Sequence, residues 1–183
     1  MSKIGKKPII IPEGVSVEIN DGKVLIKGPL GETEFDIPYR MKVIKENNIL
    51  KVEPEVLNKI TKKMWGTTRA LLNNKIIGVK DGFEKTLILE GLGYSAELSN
   101  DELTFKLGFS HPVKVKVPED IKVEIKQEKG RFYIKFKGID KEKVGKFAAE
   151  VRKIKPRDVY KLKGFRYIDE VVKTKPVKKL AGK

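Results

Sequence analysis

The segment Tyr160–Tyr167 alternates cationic and aromatic side chains around a single glycine and reads YKLKGFRY. An arginine can hold a phosphate with two hydrogen bonds and stack its plane on a base, and lysines add point charges. Tyrosine rings stack on unpaired bases, and a glycine such as Gly164 allows close approach of the backbone. A buried strand or a plain solvated loop needs no such mixture. The segment therefore indicates a surface that meets a polyanion.

The excess positive charge of the chain lies around the same segment. The 183 residues carry a formal net charge of +15, and residues 152–183 hold twelve Lys and Arg against three acids. Such a charge favours nucleic acid or an anionic membrane as the partner and says little about the fold. The candidate nucleic-acid-binding residues of this end are Arg152, Lys153, Lys155, Tyr160, Lys161, Lys163, Gly164, Arg166, Tyr167, Lys173, Lys175, Lys178 and Lys179.

The last thirteen residues, 171–183, have no hydrophobic periodicity. They contain five lysines, one proline and no acid. Such a segment cannot bury enough apolar surface to order itself. We expect it to be disordered until a partner orders it.

Weaker candidates for contact with RNA lie outside the basic end. Arg69 and Asn73 follow one polar side of the first predicted helix, where their spacing favours a solvated helix face over contact with RNA. Ser110 and His111 lie in a turn, where a histidine is usually a surface or hydrogen-bonded residue. Arg157 precedes the aromatic segment. His111 is the only histidine and the chain has no cysteine, so neither a metal site nor a nucleophile–base pair is indicated.

The run Gly91–Ala96 matches the dinucleotide pattern G-x-G-x-x-A. That site requires a helix directly behind the glycines, whereas the residues that follow predict a strand and a turn. No phosphate-binding P-loop and no bracketed pair of carboxylates occurs. The sequence therefore predicts no catalytic residues, no cofactor and no small-molecule substrate.

The amino-terminal residues are lysine-rich but lack the apolar stretch of a secretory signal. All apolar runs are far shorter than the roughly 20 residues that span a membrane. The absence of cysteine fits a reducing compartment. We expect a soluble, cytoplasmic protein.

Hydrophobic periodicity predicts strands followed by one long helix in the first half. The helix is expected over residues 56–76, ended by Gly78, with Trp65 in the core. Its buried stripe is predicted to be Leu57, Ile60, Met64, Thr67 and Leu71. The strands are predicted at residues 15–19, 24–27, 33–37, 41–44 and 49–52.

The same order of elements returns about 80 residues later. Pro38 follows Gly28 by ten positions, and Pro118 follows Gly108 by the same distance. Met41 and Val43 match Ile121 and Val123 at an offset of 80. Further along, Leu50 and Val52 match Phe132 and Ile134 at 82, and the second helix matches the first at 84. This indicates an internal duplication.

The predicted fold class is α+β, with two duplicated domains that each pack a small antiparallel β-sheet unit with one α-helix, plus a basic C-terminal extension. The predicted domains are residues 1–81, residues 82–170 as the main binding half, and the tail 171–183. A free-standing RNA or DNA chaperone and a nucleotide-dependent enzyme that uses Gly91–Ala96 are the alternative functions.

Several motifs together resemble one family in the same order along nearly the whole chain. They are SKIGKKPI at residues 2–9, GTTRALLNN at 66–74, GFSHPV at 108–113, the helix at 144–152 and YKLKGFRY at 160–167. They are similar to the bacterial form of large-subunit ribosomal protein six. The resemblance implies two similar domains of antiparallel strands with one helix each.

It also implies a non-enzymatic protein of the cytoplasmic ribosome that binds 23S rRNA near the sarcin-ricin loop and the stalk base. Its partners would be this rRNA and neighbouring large-subunit proteins, with translation factors nearby. RNA contact carries over to the Tyr, Lys, Gly and Arg positions of the segment Tyr160–Tyr167 that persist.

The chain departs from the family in the loop before its aromatic segment. The family lead-in R-P-P-E-P-Y-K-G-K-G-I-R-Y has prolines where this chain has Arg157 and Val159, and a glycine where it has Leu162. The resemblance therefore implies a loop that is less rigid and a backbone that approaches RNA less closely at Leu162.

Overall fold

The computed structural model describes residues 2–176. The chain divides into two compact units, Met1–Phe83 with Ile139–Lys141 and Glu84–Gly138 with Glu142–Lys183. Within the described residues, no helix is long and apolar enough to cross a membrane.

The first unit contains six strands and one helix. They are β1 (Ile9–Ile10), β2 (Ser16–Asn20), β3 (Lys23–Gly28), β4 (Gly31–Asp36), β5 (Met41–Glu46), β6 (Ile49–Pro54) and α1 (Lys59–Lys80). Strands β2, β3 and β4 form one three-stranded sheet, and β1, β6 and β5 form another in that order. Tight turns with positive φ at Asp21, Gly22 and Asn47 connect the hairpins.

The second unit contains seven strands and one helix. They are β7 (Phe83–Glu90), β8 (Ser95–Ser99), β9 (Glu102–Lys106), β10 (Val113–Lys116), β11 (Ile121–Glu128), β12 (Arg131–Gly138), α2 (Lys141–Ile154) and β13 (Gly164–Tyr167). The sheets of this unit have the strand orders β10-β9-β8 and β11-β12-β7-β13.

The two units share one topology. The order β2-β3-β4 corresponds to β8-β9-β10, and β1-β6-β5 corresponds to β7-β12-β11. Among the described strands, only β13 has no counterpart in the first unit. It pairs with the edge of β7 that would otherwise be free. The α+β class and the duplication are confirmed, and β13 shows where the second copy gained an extension.

The predicted match between strand β6 of the first unit and strand β12 of the second unit was wrong by two residues. Val43 pairs with Val52 in the first unit and Val123 pairs with Phe136 in the second. Val52 therefore corresponds to Phe136, at an offset of 84 and not 82. A slip of two residues keeps every side chain on its face of a strand, so alternation alone cannot detect it.

The predicted buried stripe of the first helix was also wrong. Leu57, Ile60 and Leu71 are 55%, 68% and 43% exposed. The buried face lies one residue further on, at Thr61, Trp65, Thr68, Leu72, Ile76 and Val79. The buried positions of the two helices correspond at a sequence offset of 83 residues, as Thr61 and Val144 show.

The helix limits differ from the prediction at both ends. Asn58 caps α1 by accepting hydrogen bonds from the backbone N–H groups of Ile60 and Thr61. Gly78 does not end the helix, which continues to Lys80. Trp65 lies in the core as predicted, and its Nε1 donates to the Val52 carbonyl at 2.5 Å.

Candidate nucleic-acid interface

Strand β13 builds the aromatic segment into the second sheet. Gly164 lies opposite Glu90 and Tyr167 opposite Leu87 in an antiparallel pairing with β7. Phe165 is fully buried and meets Phe105 edge-on at a centroid distance of 5.2 Å. This anchor places Arg166 and Tyr167 on the edge strand of the sheet, where both are half-buried and Tyr167 packs partly on the core.

A closed loop connects α2 to β13. The Phe165 N–H donates to the Lys155 carbonyl at 2.8 Å, and the Asp158 N–H donates to the Lys163 carbonyl at 2.9 Å. The Lys161 N–H donates to the Asp158 carboxylate at 2.7 Å, which lowers the pKa of Asp158. Backbone and carboxylate contacts therefore fix this loop where the family uses prolines.

Leu162 holds a backbone conformation that favours glycine. Its φ is +57°, and its N–H donates to the Asp158 carbonyl at 3.0 Å. The left-handed region costs an L-residue roughly 1–2 kcal/mol. The chain therefore forms this turn without a glycine.

Replacement of Leu162 should show how much the positive φ at this position costs in stability, apart from the contacts of the side chain. Leu162→Val should lower the free energy of unfolding by about 1 kcal/mol, because a β-branched residue tolerates positive φ least. Leu162→Gly should be neutral or stabilising, because it relieves the strain. Urea denaturation measures both. Equal stability of the Val and Leu forms would contradict the assigned backbone conformation.

The backbone of the loop requires a glycine at position 164. Its φ is +122°, and an added Cβ would lie 2.6 Å from the Lys155 carbonyl oxygen and 2.7 Å from that of Pro156. Gly164 is buried. The close approach that this glycine allows is thus to the protein's own backbone.

Glu90 is an ionic hub for three arginines. Its carboxylate lies 2.6 Å from Nη2 of Arg157, 2.9 Å from Nε of Arg131 and 3.4 Å from Nη2 of Arg166. The side chains of Glu90 and Arg157 are 13% and 11% exposed. Nε and Nη1 of Arg157 are buried without a hydrogen-bond partner among the described residues. The hub carries two more positive than negative charges and ties the loop to the end of β7.

Arg152 and Tyr167 form a second fixed point. Arg152 donates from Nη2 and Nε to the Glu170 carboxylate at 2.6 and 3.1 Å. This contact lowers the pKa of Glu170 and raises that of Arg152. It stabilises the fold above the ordinary pKa of a glutamate and is lost as the pH falls through the lowered value. Arg152 and Lys85 also lie 5.5 and 5.6 Å from the centre of the Tyr167 ring.

The remaining predicted residues of the basic end are available to a partner. Lys155 lies 4.4 Å from the ring centre of Phe109, which is 44% exposed and precedes the exposed Ser110 and His111. This contact brings the loop 108–112 next to the end of α2. The exposed residues are Lys153, Tyr160, Lys161, Lys173 and Lys175, whereas Lys163 is half-buried. Lys178 and Lys179 lie outside the described residues.

The other candidates, Arg69 and Asn73, lie in the first unit. Arg69 donates from Nε to the Lys7 carbonyl at 3.1 Å and from Nη2 to the Pro8 carbonyl at 3.2 Å. It therefore anchors the amino-terminal segment on α1. Asn73 is half-buried.

Sequence reasoning missed the partners that organise this surface. Glu90, Arg131, Lys85 and Glu170 carry the fixed contacts, and Phe109 supports Lys155. Glu90 and Arg131 are far from the loop in sequence, and only strand register brings them to it. The sequence offered one signal for Phe109, because an aromatic residue directly after Gly108 in a predicted turn is expected to be exposed.

The arrangement has the chemistry of a phosphate- and base-binding surface. Exposed ammonium groups and a tyrosine ring lie on a loop and an edge strand that internal ion pairs hold in place. Among residues 2–176 no cluster of three or more His, Asp or Glu side chains could hold a metal ion. The run Gly91–Ala96 is followed by strand β8 and not by a helix, so the amides of a nucleotide site are missing there.

Comparison with known proteins adds an independent result. The family model described as "Ribosomal protein L6" matches residues 11–82 and 90–168. The chain is 46% identical over 184 residues to "Large ribosomal subunit protein uL6" of Dictyoglomus thermophilum, covering 100% of this chain and 99% of that protein. It is 42% identical to the uL6 protein of Marinomonas sp., covering 98% and 99%. It is 43% identical to uL6c of Cyanophora paradoxa, covering 96% of each. The chain therefore belongs to the ribosomal protein L6 family, whose members are structural and non-enzymatic proteins.

Proposed function

We propose that this chain, a structural constituent of the large ribosomal subunit, binds 23S rRNA near the sarcin-ricin loop and the stalk base and braces the folded RNA there. The observation that carries the proposal is the row of unpaired cations around the loop 155–163. Lys153, Lys161, Lys173 and Lys175 are exposed and make no ion pair with any described residue. Neutralisation of phosphates by such side chains supplies most of the affinity in protein–RNA complexes.

The predicted binding residues divide into two roles. Arg152, Arg157 and Arg166 are engaged by carboxylates of the chain itself, and they fix the geometry of the surface. The free lysines contact phosphates. Tyr160 is 54% exposed and can stack on an unpaired base, whereas Tyr167 is held between two cations.

The contact surface extends to the loop 108–112. Lys155 is positioned over Phe109, which directly precedes the exposed Ser110 and His111 in the chain. Hydroxyl and imidazole groups at such a position donate or accept hydrogen bonds with RNA sugars and base edges. Neighbouring large-subunit proteins and nearby translation factors are the further partners of this assignment.

The proposal is tested by comparing RNA fragments of equal length. One fragment of 23S rRNA contains the sarcin-ricin loop and the stalk base, and the other comes from a distant part of 23S rRNA. At physiological salt we expect the first to bind at least about 1,000-fold more tightly, as specific sites do. Equal affinity would contradict the proposed site and favour a free-standing RNA chaperone.

Removal of the tail should change the salt dependence of RNA binding. Truncation after Glu170 removes five lysines. If each meets one phosphate, the slope of log K against log salt should flatten by about 3.5 to 4.5. Filter binding over a salt series measures the slope. As a control, replacement of the five lysines with arginine should keep it, whereas an unchanged slope in the truncated chain would show that the tail makes no contact.

A further inference from the structure

The helix α1 exposes an apolar stripe that the fold of its unit does not use. Ile60 and Leu71 are 68% and 43% exposed, and Leu57 just before the helix is 55% exposed. Met64 and Thr67 lie between them at spacings of three and four residues, on the same helix face. The stripe is about 16 Å long, as eleven residues of helix require. It is separate from the buried face of Trp65, Leu72 and Ile76.

The second unit supplies an internal comparison for this face. Its helix α2 packs on a sheet of the same strand order, and it exposes no large apolar side chain anywhere along its described length. By the offset of 83, Ile60 and Thr67 correspond to Lys143 and Glu150, which are charged and exposed. Met64 and Leu71 correspond to Phe147 and Ile154, which pack on the core of the second unit. The shared fold therefore does not require an apolar residue at the position of Ile60, and in α2 the position of Leu71 is covered by the fold itself. The presence of exposed apolar residues on α1 indicates a surface that a partner covers.

The charge of α1 selects the chemistry of that partner. The helix has six Lys and Arg residues and no acid. Lys59 and Lys63 lie within one turn of Ile60, are exposed and carry no ion pair among residues 2–176. Lys75, one turn beyond Leu71, is already paired with Asp140. A ligand on the stripe thus meets aliphatic side chains with lysines beside them at the amino-terminal end.

From these observations we infer that α1 is a docking surface for an acidic amphipathic helix of another protein. A partner helix with apolar residues at spacings of three and four would cover the stripe over three turns, and its carboxylates would reach Lys59 and Lys63. RNA would satisfy the lysines but offers no aliphatic surface to Ile60 and Leu71. A second copy of this chain and its own basic tail would both repel the helix electrostatically.

Site-specific photo-crosslinking tests this inference in assembled large subunits. A benzoylphenylalanine replaces Thr67 in the full chain, and the same probe replaces Glu150 as the matched control on α2. We expect the probe at position 67 to form a protein adduct at least about tenfold more abundant than the control. Mass spectrometry should map it to a segment of net negative charge with helical apolar spacing. An adduct with RNA or with a second copy of the chain, or a yield equal to the control, would overturn the inference.

Two sets of variants in the probe-bearing chain separate the apolar and ionic parts. Ile60→Ser combined with Leu71→Ser should reduce the protein adduct at least fivefold, and Lys63→Glu should reduce it at least threefold. All three side chains are exposed, so the fold should persist, and thermal unfolding checks this. The variants should leave the salt slope of rRNA binding unchanged, because the surface is independent of the proposed RNA site. Undiminished adducts in both variants would refute docking on this stripe.

Discussion

Replacement of Gly164 with alanine is expected to lower the free energy of unfolding by about 3 kcal/mol or more. The new Cβ would lie 2.6 and 2.7 Å from two carbonyl oxygens, those of Lys155 and Pro156. The Lys155 oxygen accepts a hydrogen bond from the Phe165 N–H, and the Arg157 N–H, in the peptide group of the Pro156 carbonyl, donates to the Phe165 carbonyl, so neither carbonyl can move without disturbing one of these bonds. The φ of +122° adds strain that no side-chain adjustment relieves. The loop and β13 should detach together, and rRNA affinity should fall with them.

Gly93 offers a matched control for this prediction. Its φ is +75°, and an added Cβ would meet no atom within 4 Å. Gly93→Ala should therefore cost only the left-handed backbone strain of about 1 kcal/mol. Denaturant unfolding of both variants gives the comparison. Equal losses would show that the carbonyl contacts of Gly164 contribute nothing to its requirement for glycine.

Neutralisation of the ionic hub by Glu90→Gln should lower the free energy of unfolding by about 3 kcal/mol. Glutamine keeps the shape of the side chain but leaves the buried Arg157 guanidinium without a counter-charge. Nε and Nη1 of Arg157 already lack partners among the described residues, so that side chain has no alternative acceptor nearby. Arg131 is half-exposed and should lose little, because water solvates it.

An exposed ion pair in the same sheet is the control for the hub. Glu124 contacts Lys137 at 2.7 Å with both side chains nearly half-exposed. Glu124→Gln should cost much less stability than Glu90→Gln, because water screens an exposed ion pair. Adding Arg157→Met to Glu90→Gln should recover much of the loss, because it removes the unpaired buried charge. A Glu90→Gln effect no larger than that of Glu124→Gln would refute the hub.

Strands and their order were predictable from the sequence, but the buried face of α1 was not. Two stripes of apolar residues run along this helix, and the buried one contains Thr61 and Thr68, which lower its apparent hydrophobicity. Their hydroxyls donate to the carbonyls of Val56 and Met64, so burial leaves no unsatisfied group. Only the packing of α1 on β3, β4 and β6 decides which stripe faces the core.

Composition and the likeness to a family predict that the basic end is a polyanion-binding surface. Composition could not show which cations are engaged within the chain. Arg166 meets Glu90 because β13 pairs with β7, and Arg157 reaches the same carboxylate from the loop before β13. Arg152 of α2 meets Glu170, which follows β13. Such contacts depend on long-range register, which no local pattern encodes. The sequence thus predicts the surface, whereas the ion pairs within the chain that hold it are seen only in the structure.

Lysine reactivity provides the most direct test of the proposed RNA surface. Acetylation rates of the free protein and of its complex with the fragment bearing the sarcin-ricin loop and stalk base can be compared residue by residue. We predict at least about tenfold protection of Lys153, Lys161, Lys173 and Lys175, while the exposed Lys42 and Lys106 keep their reactivity. Equal protection of all six lysines, or protection confined to the first unit, would contradict it.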